Sequence, residues 1–110
     1  MPKGDYLGEF EQIVLIALLR LGRTAYGMAV RREIEGRTGR QVSIGAVYST
    51  LQRLEGKGYV TSFTGEPTAA RGGRAKRFFR IEADGERSLQ RSQEAIDRMM
   101  EGLRPSRSTT

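Results

Sequence analysis

Residues Glu9 to Leu21 leave the fewest options for the fold. Phe10, Ile13, Val14, Ala17, Leu18 and Leu21 recur at the spacing of one helical face, and Leu15, Ile16 and Leu19 fill much of the opposite face. A helix apolar nearly all round must be covered on two sides. In a chain of 110 residues, 37% of them apolar, the second cover is expected from another copy of the chain. Glu9 and Glu11 lie in the first turn, where the helix dipole favours anions, and Gly22 is placed to end the helix. The longest apolar run, Ile13 to Leu19, falls far short of the roughly 18 residues that span a bilayer. No export signal precedes it, so a cytoplasmic protein without a membrane partner is expected.

Two more helices follow. Thr24 can cap a second, with Tyr26, Ala29, Val30 and Ile34 as its apolar stripe and an end near Gly39. Ser43 can cap a third, where Ile44, Val47, Tyr48, Leu51 and Leu54 recur on one face before Gly56 or Gly58. The period then changes. Tyr59 to Phe63 and Lys76 to Ile81 read as two strands of a hairpin, joined by a long glycine-rich tip. A last helix spans Ala83 to Leu103, with Leu89, Ile96 and Leu103 seven apart. Two heptads do not hold a free-standing coiled coil, so this helix is expected to lean on the first helix of a partner subunit. Residues 1–7 are expected to be a flexible arm, 8–82 the main domain, 83–103 a dimerisation helix and 104–110 a disordered tail. The fold class is α+β, mainly α.

The chain contains no cysteine and no histidine, which removes thiol nucleophiles, imidazole metal sites and Ser-His-Asp catalysis. The carboxylate pairs Glu33/Glu35 and Asp84/Glu86 have surface roles, and no phosphate-loop or dinucleotide glycine signature is present. No enzyme activity and no cofactor are expected. Charge points elsewhere: the formal net charge is +6, and the excess of basic residues lies before residue 81.

Three short helices and a hairpin give the order of a winged helix-turn-helix, in which the third helix enters the DNA major groove and the hairpin tip reaches the backbone. On the third helix Ser43, Gly45, Ala46, Tyr48, Ser49, Thr50 and Arg53 are the candidate contacts. Gly45 and Ala46 allow close approach, Ser49 and Thr50 can donate to phosphates or base edges, and Arg53 can pair with a phosphate or a guanine. No carboxylate occurs between Gln41 and Leu54. In the hairpin Arg71, Arg74, Lys76, Arg77 and Arg80 lie in an acid-free stretch, and Gly72-Gly73 permits a bend close to a phosphate chain. One of Phe78 and Phe79 is expected in the core and the other under the wing. An ordinary amphipathic helix followed by a solvated charge run is the plainer alternative.

These residues resemble the PadR family of bacterial transcriptional regulators over about residues 7 to 90. The resemblance rests on the Leu15-to-Leu21 helix with Ala25-Tyr26-Gly27, then Ser43-Ile44-Gly45-Ala46-Val47-Tyr48 with Leu51, Leu54-Glu55 and Gly58. It continues through Gly72-Gly73-Arg74, Phe78-Phe79 and Gly85. The short C-terminal segment resembles the subgroup with a single dimerisation helix. Membership implies a winged-helix homodimer on double-stranded operator DNA, usually a repressor and often released by a small effector. Ser49 stands where many members have proline, Phe78 and Phe79 where tyrosine is common, and Glu82 where threonine is usual, a poorer cap for the last helix whose place Asp84 is expected to take. Without tryptophan, the chain offers no analogy to members that hold flat drugs between tryptophans.

The dimer interface is expected from Phe10, Leu15, Ile16, Leu19, Leu89, Ile96, Met99, Met100 and Leu103. A ligand pocket lined by Leu15, Leu19, Ile96, Met99 and Met100 competes there with a dry subunit contact. The competing function is a winged helix kept for protein contacts, a role with little use for an acid-free basic hairpin.

Overall fold

The computed structural model describes residues 6–65 and 76–103. Helix α1 (Glu9–Leu21) is followed by α2 (Gly27–Thr38), α3 (Ile44–Gly56), β1 (Val60–Thr64), β2 (Arg77–Ile81) and α4 (Ala83–Met100). The strands form an antiparallel hairpin with Val60 opposite Ile81 and Thr64 opposite Arg77. This is a mainly α winged helix-turn-helix with an extra C-terminal helix.

The core gathers Val14, Leu15 and Leu18 of α1, Val30 and Ile34 of α2, Val47, Leu51 and Leu54 of α3, and Val60, Phe79 and Leu89. Burial of each such side chain contributes about 1.5–3 kcal/mol. Leu15 is wholly buried in this core, contrary to its expected place in a dimer interface. The reason is that α4 folds back onto α1 of its own chain, so the second face of α1 is covered in part from within, while Leu19 on that face stays exposed. Small residues make this possible: Gly85, Ser88 and Ser92 are buried along α4. Ser92 Oγ also accepts the Leu7 backbone N–H at 2.9 Å. Leu7 is therefore buried and held, not part of a flexible arm; residues 1–5 and 104–110 lie outside the described residues.

Glycine ends the first helices as expected, Gly22 and Gly39 both having positive φ. Thr24 does not cap α2. It belongs to a 3₁₀ turn, Gly22–Thr24, and its hydroxyl donates to the Leu21 carbonyl at 2.8 Å. That turn frees Ala25 and Tyr26 to meet the sheet: Phe79 N–H donates to Ala25 C=O at 2.8 Å, and Tyr26 bridges Phe78. β1 starts one residue late because Tyr59 N–H bonds back to Leu54 C=O, completing the end of α3. The strand pair closes where Gly65 N–H donates to Lys76 C=O. Asp84 does not cap α4; Glu82 holds the cap position, and its carboxylate accepts the Thr61 hydroxyl at 2.6 Å. The helix stops at Met100, three residues early, just before Gly102 with φ 82°.

Gly85 fixes how closely α4 approaches the hairpin. A Cβ there would collide with the Tyr59 carbonyl oxygen and lie 3.0 Å from Ile81 Cγ1. Gly85→Ala is expected to destabilise the fold by about 1–3 kcal/mol, the usual cost of overpacking. Urea unfolding reads this as a lower midpoint at an unchanged slope.

Candidate nucleic-acid interface

Helix α3 is held at both ends by carboxylates from other helices. At its start, Glu35 of α2 accepts the Val42 N–H at 3.0 Å and pairs with Arg31 at 3.4 Å. The Val42 N–H first, then the Arg31 charge, keep the Glu35 carboxyl below its ordinary value against some desolvation. Ser43 follows and caps the helix as expected, its Oγ accepting the Ala46 N–H at 3.0 Å.

At the other end, the buried Glu11 of α1 meets Arg53 Nε and Lys57 Nζ, each at 3.1 Å, and accepts Gly8 N–H at 2.9 Å. Burial opposes ionisation of Glu11 most strongly. The Gly8 N–H, the Arg53 guanidinium and the Lys57 ammonium together outweigh it and hold the carboxyl below the usual range.

Gly45 and Ser49 are exposed on the free side of α3, and Ala46 is half-buried beside them. Thr50, expected on that side, is only 3% exposed. Val47, Thr50, Leu51 and Leu54 form the buried stripe, and the polarity of the threonine had masked its place in that i, i+3, i+4, i+7 series. Arg53 is committed to Glu11, with its Nη2 also donating to Thr50 Oγ1 at 3.5 Å. Tyr48 lies at the boundary, its ring against Gly27 at the start of α2 and edge-on to Phe79 at 6.3 Å.

Of the hairpin candidates, Lys76 and Arg77 are exposed, and Arg77 pairs with Glu55 at 3.0 Å. Arg71, Gly72, Gly73 and Arg74 lie outside the described residues. Phe79 is the core aromatic. Phe78 stacks on Phe63 at 5.6 Å and meets Tyr26 edge-on at 5.7 Å.

Tyr26 and Arg32 were not among the sequence candidates. Arg32 Nη2 donates to Tyr26 Oη at 2.9 Å, and Lys76 Nζ sits 4.2 Å from the centre of the tyrosine ring. The Arg32 hydrogen bond is the main cause that lowers the phenol pKa, assisted by the Lys76 and Arg32 charges against slight burial. Non-local pairing of Ala25 and Tyr26 with Phe79 and Phe78 brings Lys76 to Tyr26 and Arg32, and no sequence period signals it.

The expected dimer surface divides in two. Leu19, Ile96, Met99 and Leu103 are 47%, 55%, 77% and 73% exposed. Leu89 is buried in its own chain's core, Phe10 and Ile16 are half-buried against that core, and Met100 is half-buried. Leu15 therefore does not line the expected ligand pocket either. Among the described residues no group of acidic side chains is arranged to hold a metal ion, and no helix is long and apolar enough to cross a membrane.

Glu11→Gln is expected to cost about 1–3 kcal/mol at pH 7, because two cations and a buried site lose their charge partner. A carboxylate whose pKa is lowered by folding stabilises above its unfolded value, and that contribution disappears as the pH falls through the lower, folded value. Denaturant titrations from pH 7 downward should therefore show the gap between the two proteins closing below about pH 4.

The transcriptional regulator PadR-like family model matches residues 15–91. No curated protein matches the sequence significantly. Among solved structures, a transcriptional regulator from Clostridium thermocellum superposes with a TM-score of 0.69 at 23% identity, covering 82% of this chain and 84% of that one. A PadR family transcription regulator from Clostridium difficile R20291 gives 0.65 at 18% identity, covering 83% and 94%. A PadR family transcriptional regulator from Eggerthella lenta gives 0.64 at 22% identity, covering 86% and 82%. At these identities the superpositions speak for the fold.

Proposed function

The chain belongs to the PadR-like family of transcriptional regulators, and from that premise we propose that it is a sequence-specific DNA-binding repressor. It acts as a homodimer on a pseudo-palindromic operator and is released by a small effector. As a transcriptional regulator it is not an enzyme. The observation that carries the DNA-binding reading is the start of α3: a Ser43-capped helix, fixed at both ends, that presents Gly45 and Ser49 to solvent. No carboxylate occurs from Gln41 to Leu54, so a polyanion can approach without repulsion from that segment. Small side chains let the backbone come near base edges, and the Ser49 hydroxyl can donate to them. Arg71, Gly72, Gly73 and Arg74 are proposed to contact the phosphate backbone beyond the hairpin, with Lys76 at its base.

The homodimer reading is supported by Leu19, Ile96, Met99 and Leu103, large apolar groups that remain exposed after the core is complete. Ile96→Glu with Met99→Glu is expected to halve the mass measured by sedimentation and leave the helical circular dichroism intact. An unchanged mass places the interface elsewhere.

Fluorescence anisotropy on duplexes from the gene's own upstream region tests the DNA reading. Log K should fall with log salt by about 0.9 for each phosphate neutralised. Arg74→Ala is expected to weaken all sequences alike, whereas Ser49→Ala changes the ranking among sites. Thr50→Ala, acting in the core, lowers stability without changing that ranking. Binding indifferent to sequence and salt would leave the protein-contact role in its place.

A further inference from the structure

We propose that Tyr26, Arg32 and Lys76 form a clamp for one backbone phosphate of duplex DNA, set between α3 and the hairpin; the clamp rests on the DNA-binding reading above. The hydrogen bond from Arg32 Nη2 occupies the phenolic oxygen of Tyr26 as an acceptor. The phenol's own hydrogen is then left to donate outward. Arg32 keeps further N–H groups, and Lys76 Nζ, 4.2 Å from the ring centre, adds ammonium donors on the same tyrosine. One phosphate oxygen can take the phenolic hydrogen while a second takes the cations, the charge-assisted geometry that phosphates favour.

The pairing pattern of α2 singles this group out. Arg31 pairs with Glu35 and Arg37 with Glu33, but Arg32, between them in sequence, has a phenol as its partner. Among the described residues neither Arg32 nor Lys76 has a carboxylate within ion-pair distance. Two cations gathered without an acid repel each other, and an anion between them relieves that repulsion.

Placement agrees with the chemistry. Gly27, next to Tyr26, carries the ring of Tyr48 from α3, and Tyr26 itself bridges Phe78 of β2. The clamp therefore lies beside the helix that reads bases and at the foot of the wing. A strand of DNA passing from one to the other crosses it.

The test measures binding of the full chain to an operator duplex and to an unrelated duplex, from 50 to 300 mM salt. Tyr26→Phe keeps the ring and removes only the hydroxyl. Arg32→Gln and Lys76→Gln remove one charge each, and Lys76 is exposed, so that variant folds even if another does not. Each variant is expected to weaken both duplexes by the same factor, on the order of 10-fold for Arg32→Gln. The salt slope should become shallower by about 0.9 for each lysine or arginine lost. Thermal midpoints should stay near that of the parent. Parent-like slopes and affinities in all three variants overturn the clamp while the DNA-binding reading stands. Losses confined to Arg32→Gln, with Tyr26→Phe parent-like, also overturn it, because the phenol is then a bystander. A parent protein that binds neither duplex removes both readings together.

Discussion

The two-sided burial of α1 is the constraint on which the rest of the molecule depends. One side meets α2, α3 and the sheet; the other is roofed in part by α4 of the same chain, with Leu19 left exposed. This roof is built for closeness rather than apolar bulk. Gly85, Ser88 and Ser92 let α4 lie near its neighbours, and Ser92 Oγ takes the Leu7 N–H that the entry to α1 would otherwise leave unpaired. Leu89 then reaches the common core, while Ile96, Met99 and Leu103 run on past it into solvent. A single helix thus closes the monomer with its first half and offers an apolar surface with its second.

Helix α1 also carries the group that orients α3. Glu11 is buried where an unpaired carboxylate would be costly, yet Arg53 from the last turn of α3 and Lys57 just past its end both reach it. A charge pair of this kind specifies geometry more surely than it adds stability, since other arrangements of α3 would strand the carboxylate. Arg53 consequently helps to hold the scaffold, while 53% of its side chain stays exposed. In the proposed reading the exposed start of α3, with Gly45 and Ser49, serves recognition, its lack of bulk favouring backbone approach and hydroxyl contacts.

Local signals in the sequence were read where their cause was local. The Ser43 cap, the glycine stops at Gly22 and Gly39, the change of period after Gly58 and the all-round apolar α1 each depend on residues within a turn or two. What was misread depended on partners far along the chain. Thr24 looked like a cap, but the segment after it is claimed by β2 through Ala25 and Tyr26. Ser92 carries no local sign of its role because its partner, Leu7, lies 85 residues away. Thr50 was assigned outward on polarity alone, although its spacing from Val47 and Leu54 places it in the buried stripe. The Tyr26–Arg32–Lys76 group was missed for the same reason as Thr24: it exists only once the hairpin has docked.

Charge follows the same division between scaffold and surface. Glu33 clasps Arg20 and Arg37 across α1 and α2, Glu55 holds Arg77 at the hairpin, and Glu9 holds Arg40. These exposed pairs are individually weak in water. Their effect is to use up acids that would otherwise face an approaching polyanion. Arg77 is a case in point: it lies in the acid-free stretch of the sequence, yet Glu55 from α3 partly cancels it in space. Net charge counted along the chain therefore overstates what this arginine offers. Among the described residues Arg23, Arg32, Lys76 and Arg91 have no carboxylate within ion-pair distance, and of these Arg32 and Lys76 meet on one side chain, Tyr26, at the foot of the wing.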